Sequence, residues 1–506
     1  MKNKSVALSS DRQIPLRRIF FVAVAALILA HAVFFTGYNI MVPLLMIFPI
    51  LPLTYFMFIK QDLFSFILVL FICSHFSFSN DLGGIWNLMT FVLFLGYLLF
   101  NKKKLLVKSK NKTANSLLLV LLFANFLGWI LLNKIELIYR FFGIINFFSF
   151  IVIFIIVSSF TLTQERIRDW LYCAGFMAIW IMLVNLNQRN ALINIQTPLL
   201  GVDPRSDVNP ISAGFRLGLF GHSELNGEYG MLLFILFFPF LISVLNSKGF
   251  NLNRKMVLVF SLSSFLIAIL SSARSTVLLI VLGIVAIFLG YVFRIFKERL
   301  QIQTIFFSGV LILFGILVFT EKLKFFGADE LSVKYRQSFE QKFTFSGIIS
   351  GENINRDATT NLAIERLTSR IWLIGYGYGI PMSNTMALFN LSNADLNKTK
   401  VRYNDYHNFY FELPIIYGYF GGMAFLGLLI YLLFRLYKLA KQRDNQPYFF
   451  HNLSYILMVF WICFLLDQYK ISMFRSPSYH MVIWFWLGFS YAVVNTADHF
   501  RRNKTN

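Results

Sequence analysis

"STVLLIVLGIVAIFLGYVF", residues 275–293, runs nineteen positions without a charge between Arg274 and Arg294. A bilayer core about 30 Å thick needs roughly 17–25 such residues in helical form, so the stretch reads as a transmembrane helix. Comparable apolar runs lie near 19–35, 40–59, 63–78, 85–100, 117–133, 141–159, 170–186, 230–246, 256–271, 302–320, 409–434, 449–466 and 478–495. The expected fold is therefore an all-α polytopic membrane protein with about fourteen transmembrane helices. Composition agrees: of 506 residues, 57% are hydrophobic, 18% aromatic and only 14% charged, outside the range of a soluble domain. The basic start "MKNKSVALSSDRQIPLRR" leads into an apolar run with no small-residue cleavage site, so the first helix is expected to be retained.

The net charge of +22 raises the question of nucleic acid. The basic residues, however, are scattered over interhelical loops and form no stripe on a soluble module, so no nucleic-acid partner is expected. Positive-inside topology accounts for them. Taking alternate short loops and the two termini, one side holds 27 Lys and Arg and the other holds five. That bias is expected to place both termini in the cytoplasm. The three cysteines, Cys73, Cys173 and Cys463, fall inside apolar runs without paired or metal-ligand spacing, and read as core filler.

On this topology the chain divides into N-terminal helices (1–186), an extracytoplasmic loop (187–229), central helices (230–320), a large and partly helical extracytoplasmic loop (321–408) and C-terminal helices (409–506). The large loop is too long for an ordinary connector and is the natural place for function. No repeat of 20–50 residues is visible, which weighs against a transporter.

Polar clusters gather on the outer side. "FRLGLFGHSELNGEYG" carries Arg216, Glu224 and Glu228; the two glutamates share a face if the following helix starts early, and they equally suit a helix cap. Arg274 stands at the outer end of "SSARST", either facing a wet cavity or snorkelling to headgroups. In "NLAIERLTSRIWLIGYGYG", Arg366 and Arg370 are four apart and share a helical face. Two guanidiniums so placed would hold an anion such as a diphosphate, or lie on anionic lipid with Glu365 as a partner. The glycines of "GYGYG" read as turn-making, since no strand precedes them as a nucleotide-binding fingerprint would require. His407, in "YNDYHNFYFELPIIYGYFGG", falls where an apolar helix begins, as a polar cap or as a proton acceptor near neutrality.

His407 and Asn408, then nine residues, then Gly418 and Gly421 fit H-[NSQ]-x9-G-x-x-[GTY], and so resemble the bacterial O-antigen ligase family and its polymerase relatives. "ERLTSRIWLIGYGYG" looks like that family's arginine–tryptophan segment ending in a G-x-G turn; "SSARSTVLLIVLG" and "FRLGLFGHSELNGEYG" resemble two further segments. The resemblance spans about residues 212–434. It implies a C-type (GT-C-like) inner-membrane glycosyltransferase with an extracytoplasmic active site, drawing on undecaprenyl-diphosphate-linked glycan. The acceptor would be a second lipid-linked repeat unit for a polymerase, or lipid A–core for a ligase. A chain-length regulator and membrane lipids are the further partners to expect.

Under that resemblance His407 would activate the acceptor hydroxyl. Arg216, Arg274 and Arg370, or Arg366 one turn earlier, would bind the diphosphate, with Glu224, Asn408, Gly418 and Gly421 in support. Both glycines are expected to be close-packed, setting helix depth and with it the height of His407. The sequence has no H-x-x-x-H or D-x-D, so metal-independent, cofactor-free inverting transfer is expected. A lipid-linked oligosaccharide flippase is the alternative from another class; it would be expected to place charges within helices lining a central cavity.

Overall fold

The computed structural model describes residues 63–75, 111–131, 137–193, 223–242, 252–271, 274–293, 408–441 and 448–505, together with positions 220, 250, 295, 296, 309, 375, 377 and 378. Among the described residues the fold is all-helical. Its helices are α1 (Leu63–Ser74), α2 (Lys112–Leu131), α3 (Leu137–Ser159), α4 (Gln164–Ile193), α5 (Ser223–Leu241), α6 (Arg254–Leu270), α7 (Arg274–Val292), α8 (Phe409–Lys441), α9 (Tyr448–Asp467) and α10 (Pro477–Thr505). In lipid a spanning segment must satisfy every backbone group within itself, which the helix does and an open strand cannot. Six of these helices are long and apolar enough to cross a membrane: α2, α4, α5, α7, α8 and α9. The chain is a multi-pass helical membrane protein.

Burial sorts the spans into layers. In α5, 89% of the spanning residues are buried, whereas in α2 and α7 the share is 39%. α5 is therefore central, while α2 and α7 turn exposed Leu119, Phe123, Leu278 and Leu282 outward. That apolar outer face is what lipid-facing helices require. α10 is buried along most of its length and carries Trp484, Trp486, Phe489 and Tyr491 into the core. Small residues let helices approach: a Cβ on Gly230 would stand 2.8 Å from the Ala268 backbone nitrogen of α6, and one on Gly488 would stand 2.8 Å from Val157 of α3.

Polar contacts pair the helix ends into two groups. At one end Leu162 N–H donates to Thr496 Oγ1 (2.9 Å), His451 Nε2 meets the Ile295 carbonyl (2.8 Å) and Arg435 pairs with Asp498. Lys112, Arg166, Arg168, Arg254, Lys255, Lys438 and Lys441 gather at that same end. At the opposite end stand Glu224, Glu228, Glu412, Asp467 and Lys470. The remaining expected spans, near 19–35, 40–59, 85–100 and 302–320, lie outside the described residues apart from position 309.

Candidate functional site

The carboxylate-bearing end of the bundle is built from the start of α5, the start of α8 and the link between α9 and α10. α5 begins at Ser223, seven residues before the apolar run that marks it in sequence, so Glu224 and Glu228 sit one turn apart on its first turns. Lys470 lies 3.5 Å from Glu224 Oε1 and 3.4 Å from Ser275 Oγ, joining α5, α7 and the α9–α10 link. Glu228 is fully buried.

Gln468 organises this end. Its side-chain N–H donates to both carboxylate oxygens of Glu228 (2.9 and 3.0 Å), and its Oε1 accepts from Met473 N–H (2.9 Å). Its own carbonyl accepts from Phe409 N–H (3.1 Å), the first residue of α8. One buried residue, through its side chain and its backbone carbonyl, thus ties α5, α8, α9 and the 3₁₀ turn Met473–Arg475 together. Nearby, His75 Nε2 meets Tyr229 Oη at 2.7 Å and Trp486 Nε1–H donates to the same hydroxyl at 3.4 Å, locking α1, α5 and α10.

α8 starts with a cap. Asn408 Oδ1 accepts from Tyr410 N–H at 2.9 Å, and its carbonyl accepts from Glu412 N–H at 3.1 Å, satisfying donors left open by the first turn. His407, one residue earlier, lies outside the described residues. Nine residues into α8 the helix breaks at Gly418, whose φ of 71° and ψ of 170° only glycine adopts readily. Pro414, four residues before, supplies no backbone N–H to that turn.

The break is filled from the large loop. Ile416 carbonyl accepts from Gly377 N–H at 2.8 Å. A Cβ on Gly375 would overlap the backbone of Ile416 and Gly418; one on Gly377, which itself has φ +89°, would overlap the Trp129 indole. Tyr378 is then held at both backbone groups by α2, its N–H donating to Asn125 Oδ1 (3.0 Å) and its carbonyl accepting from Trp129 Nε1–H (3.2 Å). Gly418 is approached closely by Gly375 and, beyond the close packing expected of it, takes a φ of 71°. Gly421 also packs closely, a Cβ there standing 3.0 Å from Ala124 of α2.

Of the residues singled out in sequence, Glu224, Asn408, Gly418 and Gly421 fall at this end, and Arg274 begins α7 beside Ser275. Arg216, Arg366, Arg370 and His407 lie outside the described residues. Gln468, Asn125 and Trp129 were not singled out; the only signal for them was polarity in or beside an apolar run. Among the described residues, no three His, Cys, Asp or Glu side chains are placed to share a metal ion. No family model matches the chain, and no curated protein matches it.

Proposed function

We propose that the chain is a membrane glycosyltransferase that polymerises O-antigen or related polysaccharide repeat units from an undecaprenyl diphosphate carrier, on the outer face of a bacterial inner membrane. The observation that carries this reading is the docking of the Gly375–Tyr378 turn into the α8 break at Gly418. The G-x-G segment and the H-N-x9-G-x-x-G segment were matched separately in sequence, and they meet at one point. Support also comes from the excess of Lys and Arg at the opposite end of the bundle, against Arg274 and Lys470 at this one.

The chemistry is a single displacement. His407 accepts the proton of the acceptor hydroxyl, the oxygen attacks the anomeric carbon, and the bond to diphosphate breaks with its electrons on the departing oxygen. Arg216, Arg274 and Arg370 or Arg366 bind that oxyanion, which is charge stabilisation aimed at the leaving group. One displacement inverts the anomeric centre, and the arginines do the work that a divalent cation does elsewhere. About fourteen spans and a C-type architecture belong to the same proposal.

The histidine motif also suits a ligase, which would deliver glycan to lipid A–core. A deletion strain separates the readings on a glycan gel. Core capped by a single repeat is expected for a lost polymerase; free core with lipid-linked polymer would mean a lost ligase, and unchanged glycan would sink both.

A further inference from the structure

The Gly375–Tyr378 turn reaches α8 only with the help of α2, a helix 249 positions away in sequence that has no part in the motifs above. Asn125 is fully buried and Trp129 is 2% exposed, although α2 is otherwise among the most lipid-exposed helices. Asn125 is fixed in its turn, its side-chain N–H donating to the Leu121 carbonyl at 3.1 Å, which leaves Oδ1 aimed at Tyr378 N–H. The Tyr378 ring packs on Phe150 of α3, Phe474 of the 3₁₀ turn and His480 of α10, so the turn is anchored from four sides.

We propose that Asn125 and Trp129 are positioning residues for glycosyl transfer, clamping the turn onto the α8 break where the two motif segments meet. This rests on the function proposed above. In sequence the clamped turn follows Arg370 by five residues, a distance the chain can span by at most about 18 Å. The helix it docks on follows His407 by two, and its first two turns run from Phe409 to the break. A buried backbone N–H and carbonyl left without partners would favour release of the turn.

The test uses the full chain purified in detergent, with the lipid-linked repeat unit extracted from the deletion strain as substrate. Trp129→Phe keeps an aromatic ring and deletes the one N–H; Asn125→Leu deletes the acceptor. Both are expected to raise hydrogen exchange in the peptide covering 375–378. Both should lower kcat for polymer formation about tenfold or more, the scale set by slight misplacement of reacting groups, with KM nearly unchanged. Unaltered exchange, or faster exchange with full kcat, would overturn the clamp, and Trp129→Phe decides the matter if Asn125→Leu fails to fold. A wild-type chain that makes no polymer, yet still depends on Trp129 for protection of 375–378, would overturn the glycosyl-transfer reading and with it the clamp's catalytic role.

Discussion

Glycine residues decide the local geometry of α8, each through a different physical effect. Gly418 supplies a φ of 71° with ψ near 170°, and Gly418→Ala is expected to cost about 1–3 kcal/mol, read as a lower melting temperature in detergent. Gly427, in the same helix, is the control. A Cβ there would meet Leu117 at an ordinary 3.4 Å, so Gly427→Ala should be neutral or raise stability by up to about 1 kcal/mol. Equal losses at both positions would show that the break at Gly418 carries no special backbone requirement. The sequence pattern made both Gly418 and Gly421 legible as important. It could not say that Gly418 also uses a positive φ, because spacing records identity and not conformation.

Gln468 is the element-scale counterpart, a single residue on which α5, α8 and α9 converge. Gln468→Leu removes two hydrogen bonds from the buried Glu228 carboxylate and is expected to destabilise by about 1–3 kcal/mol. The Glu228→Leu and Gln468→Leu effects should not add: a double-mutant cycle is expected to give a coupling of about 0.5–3 kcal/mol, and additivity would deny the contact. In sequence, "DQYKISMFRSP" read only as a short outer connector. The helices on either side were legible because an uninterrupted apolar run has few alternatives in lipid. Which polar residue at a helix end meets which other, 240 positions away, depends on how the bundle packs, and apolar periodicity holds no record of that. The early start of α5 was only one of two readings for a related reason, since "SELNGEYG" is polar enough to resemble loop until tertiary burial covers it.

For the whole molecule, the excess of cations at one end is a statement about orientation. Alkaline phosphatase fused within residues 321–408 is expected to be active, and fused within 442–447 to be inactive. The reverse pattern would invert the topology and move His407 to the side where the lipid-linked donor is not polymerised. The central claim is glycosyl transfer itself, and one measurement reaches it most directly: incubating the purified full chain with extracted undecaprenyl-diphosphate-linked repeat unit and resolving the lipid-linked products by length. The wild type is expected to build a ladder of repeats with release of undecaprenyl diphosphate, and His407→Ala, at equal purity and fold, to leave the single repeat unconsumed. A ladder of equal rate from His407→Ala would contradict the assigned base, and no ladder from the wild type, with substrate confirmed intact, would contradict the function.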